Sequence, residues 1–240
     1  MLSAINWSQV INFEEYTPFE LFLFAGGCFL WVIVYCIFIK NIIKKKFIEM
    51  PVFAGCADIG WEFTWSFLAA TNMGRLLERT YQVWFITDIA IFAGLLLYGW
   101  KQLTFDRRRG WYVPACIFTT VAWVLGVYSM HVTGLDTPIG ATSAYLDQLC
   151  ISFLYIPLLL RQKSLENFSF AAAWLRTIGT GMNTVFMNIH YPDNYFLRFI
   201  AILATTLDCT YVYLFWSMRR ELRQSALEPE RTVASSAQAA

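Results

Sequence analysis

The chain has 240 residues, 58% of them hydrophobic and 15% charged, with a formal net charge of +1 and a mean hydropathy of +0.48. Together with 21 Phe, 12 Tyr and 10 Trp, that composition excludes an ordinary water-soluble domain, whose surface needs far more charge. No nucleic-acid partner is expected; the expected surroundings are the lipid bilayer.

An apolar helix crosses a ~30 Å hydrocarbon layer in ~20 residues, at ~1.5 Å per residue. Blocks of that length recur along the chain at about 18–39, 51–71, 81–100, 112–131, 140–160, 169–190 and 196–217, separated by short charged or Pro/Gly-marked breaks. The leader before the first block is not basic, carries Glu14, Glu15 and Glu20, and has no small-residue cleavage site in the usual place, so that block reads as a span rather than a cleaved signal peptide. The expected fold is an all-α integral membrane protein, a bundle of seven transmembrane helices. It forms one domain over residues 1–223, and a disordered tail is expected over 224–240. Cys28, Cys36, Cys56, Cys116, Cys150 and Cys209 fall in or beside apolar blocks without CxxC or CxxH spacing, which favours burial over metal or disulfide chemistry.

Basic residues set the expected orientation. Lys40, Lys44, Lys45 and Lys46 occupy the first connection, Lys101, Arg107, Arg108 and Arg109 the third, Arg161 and Lys163 the fifth, and Arg219, Arg220 and Arg223 the C-terminal flank. The alternate connections carry only Arg75, Arg79 and Arg198. Positive charge collects on the cytosolic side, so the N-terminus is expected outside or in the lumen and the C-terminus in the cytosol. With the helices so directed, Glu62, Asp88, Asp147, Asn183 and Asp208, each from a different block, fall in the middle and outer half of the membrane. Asp58 lies one turn deeper on the face of Glu62, because residues i and i+4 are neighbours on a helix.

A carboxylate near the bilayer centre costs ~2.5–3.5 kcal/mol even on the lenient insertion scale. So many of them in one small protein require an interior pocket. Low dielectric and clustered like charges both favour the neutral acid, and a neutral carboxylic acid can give up a proton as a general acid. Blander roles compete. Asp88 and Asp147 lie nearer the interface, where hydrogen bonds from Thr, Tyr or Trp, or pairing with Arg79, would also hold them. His131 and His190, at helix ends, fit capping or solvated roles, and Arg176 either snorkels to the cytosolic face or serves as a buried counter-ion. Trp and Tyr belts line membrane interfaces, yet Trp61, Phe63, Trp65 and Trp84 lie deeper, where they can face the acids. Glu62 and Asp208 are the acids favoured for chemistry.

The sequence holds no DDxxD-like or NSE-like cluster for magnesium and diphosphate, no HExxH, no GxSxG and no Walker loop. No metal site is expected. An acid among aromatic walls in a greasy pocket suits protonation of an epoxide or alkene on an isoprenoid chain, then cyclisation through carbocations that π faces stabilise and dry walls shield from water. The alternative is a proton-coupled small-molecule transporter, since intramembrane acids also build proton relays. Against it, no internal repeat and no matched pair of Gly/Pro-broken helices is evident. A seven-helix receptor or retinal protein ranks below both: the last block has no lysine for a Schiff base, and no DRY-like or NPxxY-like motif is present.

The stretches DIGWEFTW (from Asp58), RTYQVWFITD (to Asp88), WLRTIG (around Arg176), HYP (at His190) and LDCTYVYLFW (around Asp208) resemble the small seven-helix integral-membrane terpene cyclases of fungal meroterpenoid and indole-diterpene biosynthesis, the paxilline-type cyclases. The similarity covers nearly the whole chain. It implies that Glu62 and Asp208 start the cyclisation, with Asp58, Asp88, Asp147 and Asn183 in support and Trp61, Trp65, Trp84 and Tyr211 stabilising carbocations. It implies no cofactor, a prenylated aromatic or polyketide substrate carrying an epoxidised farnesyl or geranylgeranyl chain, and an endoplasmic-reticulum or endomembrane location. One departure from the family pattern is Asp58, where an Asn often stands; a second acid beside Glu62 can share its proton.

Overall fold

In a computed structural model, residues 10–103 and 109–238 are described, with side chains to residue 225. Arg107 and Arg108, counted above among the cytosolic charges, lie outside the described residues. Seven α-helices follow in the expected order, and no strand occurs among the described residues.

Local chemistry starts and stops them. α1 (Pro18–Lys45) opens on a capping box, in which the Thr17 hydroxyl accepts from the Glu20 amide and the Glu20 carboxylate accepts from the Thr17 amide, with Pro18 at the first helical position. α2 (Val52–Phe63) begins after Pro51 and runs into a π-helical turn, Thr64–Leu68. α3 (Arg75–Tyr98) continues as a 3-10 turn to Gln102, and α4 covers Arg109–Val132. α5 (Ala141–Leu160) starts after Gly140, and α6 (Phe170–His190) is capped by the Ser169 hydroxyl, which accepts from the Ala172 amide. α7 runs from Tyr195 to Gln238. Its backbone is therefore helical over 224–238, where the composition predicts a disordered tail; the stretch has no glycine and its Ala, Glu, Gln, Leu and Arg favour a helix, while Pro229 within it opposes one.

Neighbouring helices close a ring in the order α1, α3, α2, α5, α7, α6 and back to α1, with α4 packed on the outside of α2. α1, α3, α4, α5 and α7 are each long and apolar enough to cross a membrane. α2 and α6 are not among those five: the α-helix of α2 has only 12 residues before its π-helical turn, and α6 carries polar groups of the interior. Every residue of α2 from Ala54 to Glu62 is buried, while α6 turns Arg176, Thr177, Thr180 and Thr184 inward. Outward-facing Phe22, Phe29, Trp111, Phe118 and Phe199 are more than half exposed, as a hydrocarbon solvent allows. Cys28, Cys56 and Cys116 are buried as expected, whereas Cys36 and Cys209 face outward as small apolar side chains.

The tightest crossing is that of α1 and α6. A Cβ on Gly27 would stand 2.7 Å from the Gly179 carbonyl oxygen and clash with the Asn183 amide, while one on Gly179 would come within 3.0 Å of the Gly27 carbonyl. Small residues at such a contact let two backbones approach, which in lipid is a main source of helix association. Gly27→Val therefore overpacks a contact made by backbone that has nowhere to move. It is expected to cost at least ~1–3 kcal/mol, seen as a lowered thermal unfolding midpoint in detergent; an unchanged midpoint would contradict the close approach.

Candidate active site

Five helices of the ring wall a cavity that opens to the outside, with about 770 Å³ of empty space including its mouth. α1 brings Cys28, Trp31 and Tyr35; α2 brings Asp58, Trp61 and Glu62; α3 Tyr81 and Trp84; α5 Tyr145, Asp147 and Gln148; and α6 Thr180 and Asn183. Among the described residues, the wall has no Lys, Arg or His and nothing from α7.

The acids are organised by a tyrosine. The Tyr35 hydroxyl reaches from α1 to within 2.7 Å of Asp58 Oδ2 and 3.0 Å of Glu62 Oε1. One phenolic proton serves one of these contacts, so the second is a hydrogen bond only if a carboxyl supplies the proton. Asp147, from α5, lines the same cavity, and its Oδ1 is buried with no hydrogen-bond partner among the described residues. The other oxygen of Glu62, Oε2, is buried and has no hydrogen-bond partner among the described residues. Behind them Asp88 is fully buried, with neither oxygen meeting a donor. The geometry is that of acids holding protons between them. The π-helical turn starts two residues after Glu62, at Thr64, and such turns concentrate at functional sites.

Trp61 is fixed to the wall by a relay through the α4–α5 connection. Its indole N–H donates to Ser143 Oγ at 2.8 Å, and the Ser143 hydroxyl donates to Asp136. Asp136 also takes the amides of Thr137, Thr142 and Ser143, at 2.8, 2.9 and 3.2 Å. Burial pushes the Asp136 carboxyl up from its ordinary range, against the pull of these donors.

Asp208 is placed differently. It forms an ion pair with Arg176 at 3.0 Å, both side chains being buried, and accepts from Gln148 Nε2 at 3.2 Å. The Arg176 guanidinium lies over the ring of Tyr155 at 3.8 Å and that of Tyr211 at 4.8 Å, so Arg176 is a buried counter-ion rather than a snorkelling cation. Gln148 carries this network to the cavity wall. On the flank formed by the α1–α2 and α5–α6 connections, Glu49 accepts the Ser169 amide at 3.1 Å, and burial raises its carboxyl to about 8.

Of the residues singled out from sequence, Asp58, Glu62, Asp147, Asn183, Trp61 and Trp84 thus line one cavity. Asp88, Asp208, Trp65 and Tyr211 do not. Trp65 packs behind Trp61 and Tyr81 and against His131, with ring centroids 6.3, 6.2 and 5.2 Å away. His190 pairs with Glu20 at 3.0 Å and stacks on Tyr16 at the far end of α1, in keeping with a helix-end role. Sequence reasoning passed over Tyr35, Tyr81, Tyr145 and Gln148. For Tyr35 a signal existed: it is the one hydroxyl-bearing side chain in block 18–39, and a buried tyrosine hydroxyl needs a partner.

The fold and the cavity together define a membrane-embedded helical bundle around an acid-bearing, aromatic chamber. Residues 7–221 match the family of Pyr4-like transmembrane terpene cyclases, and the chain belongs to that family. Among its relatives, terpene cyclase macJ of Penicillium terrestre is 25% identical over 210 residues, covering 81% of this chain and 80% of the relative. The Pyr4-family terpene cyclase mfmH of Annulohypoxylon moriforme is 24% identical over 220 residues, 84% of this chain and 86% of the relative. Terpene cyclase spyD of Aspergillus fumigatus is 24% identical over 230 residues, 86% and 91% of the two chains. No solved structure matches. The resemblance drawn from the helix motifs is borne out, and nothing in this kinship supports the transporter alternative.

Asp208→Asn would leave the Arg176 cation unpaired in a buried site. The expected cost is about 3–5 kcal/mol of stability, recovered in large part when Arg176→Met is combined with Asp208→Leu. Thermal unfolding of the purified variants reads this directly, and a thermally silent single variant would contradict the ion pair.

Proposed function

We propose that this membrane terpene cyclase starts its reaction by passing a proton from Glu62 to the epoxide oxygen, or terminal alkene, of a prenylated aromatic or polyketide substrate in meroterpenoid biosynthesis. The observation that carries this reading is the geometry of Glu62. One of its oxygens is anchored on Tyr35, and the other is buried without a partner in a side chain that lines the cavity. A carboxylic acid held this way can donate its proton only to something that enters the cavity.

The reaction then balances without an outside reagent. The proton adds to the epoxide oxygen, the C–O bond breaks toward a tertiary carbocation, and the farnesyl or geranylgeranyl alkenes attack in turn. The last cation loses a proton, and the product is an isomer of the substrate. This is isomerase-type or lyase-type chemistry with no call for a metal or organic cofactor. Asp58, joined to Glu62 through Tyr35, and Asp147 on the same wall can accept the returning proton and reset the donor. The π faces of Trp61, Trp84 and Tyr81 border the space in which the cation would travel, each such contact being worth ~0.5–2 kcal/mol. Trp65 and Tyr211 are assigned to support from behind the wall. Asp208, charged by its pairing with Arg176, is assigned to positioning: it holds Gln148, and its negative charge suits it poorly to proton donation. Asn183 supplies a neutral polar group for orienting the substrate, and Asp88 adds acidity behind Glu62. The Lys and Arg distribution supports a lumenal N-terminus and a cytosolic C-terminus, in the endoplasmic reticulum or a related endomembrane.

Membranes carrying the chain, given epoxidised farnesyl and geranylgeranyl aromatics, are expected to yield a product of unchanged mass. Glu62→Gln keeps the shape and loses the proton, so the rate should fall about 10²–10⁴-fold with folding intact. Near-wild-type turnover by that variant, measured by chromatography and mass spectrometry, would overturn the assignment.

A further inference from the structure

A second cavity, of about 840 Å³, lies between α1 and α3 on the side of the bundle. Leu21, Ala25, Phe29 and Val32 wall it from one helix, and Leu76, Leu77 and Thr80 from the other. These residues recur at helical spacings of three and four, so two apolar stripes that a tight bundle would press together stand apart. The cause is visible in the packing. α1 is drawn onto α6 at Gly27 and Gly179, and it meets α3 closely at its opposite end, where a Cβ on Gly94 would come within 2.6 Å of Ile42. The two helices therefore diverge toward the N-terminal end of α1. There the gap is closed off by the preceding segment, whose Asn12 amide donates to the Met73 carbonyl at 3.1 Å while the Tyr16 hydroxyl donates to Asn72 at 2.7 Å.

We infer that this groove holds the isoprenoid chain of the substrate and admits it sideways from the hydrocarbon layer; the identity of the chain rests on the cyclase reading. Three features support it. The groove and the acid cavity share Phe24, Cys28 and Trp84, so a molecule lying in one has its end at the wall of the other. The lips, Phe29 and Leu76, are 64% and 52% exposed, facing the lipid in which a prenylated substrate dissolves. The lining is almost wholly apolar, and the Thr80 hydroxyl is satisfied within its own helix by the Leu76 carbonyl at 2.8 Å. Such a groove offers hydrocarbon contact and no polar recognition, whereas the chamber beyond it offers acids. A chain with a reactive polar end fits both parts, and a lipid acyl tail fits only the first.

The test uses the full chain in lipid nanodiscs and a farnesyl aryl ether bearing a diazirine on its chain but no epoxide. Photolabelling should map to the α1 and α3 peptides that contain Leu21–Val32 and Met73–Trp84, and excess unlabelled farnesyl aryl ether should compete while phospholipid does not. Ala25→Trp, or Leu76→Trp should the first fail to fold, fills the groove and should abolish the labelling; Glu62→Gln should preserve it. Labelling elsewhere, labelling that survives both tryptophans, or equal competition by phospholipid would overturn the inference. Labelling in the groove by a protein that converts no epoxide would uphold the groove and count against the cyclase reading instead.

Discussion

One phenolic proton stands between two carboxyl groups, and much of the site follows from that constraint. Tyr35 approaches both Asp58 and Glu62 at hydrogen-bonding distance, and Asp147 lines the same cavity. No basic side chain stands on this wall among the described residues, so the arrangement is a set of hydrogen bonds only if the acids keep protons. Fully ionised, the cluster would be an uncompensated buried charge of a kind proteins do not tolerate. Partly neutral, the cluster presents un-ionised carboxyl groups to a cavity lined by Trp31, Trp61, Tyr81 and Trp84.

The bundle divides its buried acids between two solutions. Asp208 is neutralised by Arg176, whose guanidinium also lies against the rings of Tyr155 and Tyr211, and the pair lies outside the cavity wall. Asp58, Glu62 and Asp147 have no cation and rely on one another. The first arrangement locks three helices, α5, α6 and α7, around a charge pair. The second leaves its carboxyl groups on the cavity wall. Helix packing sets this division: α1 is pulled to α6 by facing glycines, which carries Tyr35 over α2 and leaves the α1–α3 gap open.

Much of the fold was legible because in lipid a helix declares itself by length and apolarity. The seven expected blocks match the seven helices closely at most ends, and the departures have local causes. α2 falls short as a span because its α-helix gives way to the π-helical turn after Phe63, and α6 because it carries polar groups of the interior; α7 continues past Arg223 as helix in spite of Pro229. The site was half legible. Carboxyl groups are so costly in lipid that Glu62, Asp58 and Asp147 announced an interior on their own. What sequence could not give was partnership. Arg176 and Asp208 lie far apart in the chain and meet through packing of α6 on α7, so the acid that seemed equal to Glu62 turned out to be spoken for. Tyr35 was missed because a tyrosine in an apolar block reads as hydrophobic until its hydroxyl is seen to have company.

The most direct test of the central claim is infrared difference spectroscopy of the protein in lipid at neutral pH, reading the carbonyl stretch of un-ionised carboxylic acids in wild type against Glu62→Gln and Tyr35→Phe. The account predicts such a band in the wild type, weakened by the loss of Glu62 and shifted when the Tyr35 hydroxyl is removed. A wild-type spectrum with no un-ionised carboxyl band, or one indifferent to both substitutions, would contradict a proton-holding cluster at the heart of this bundle.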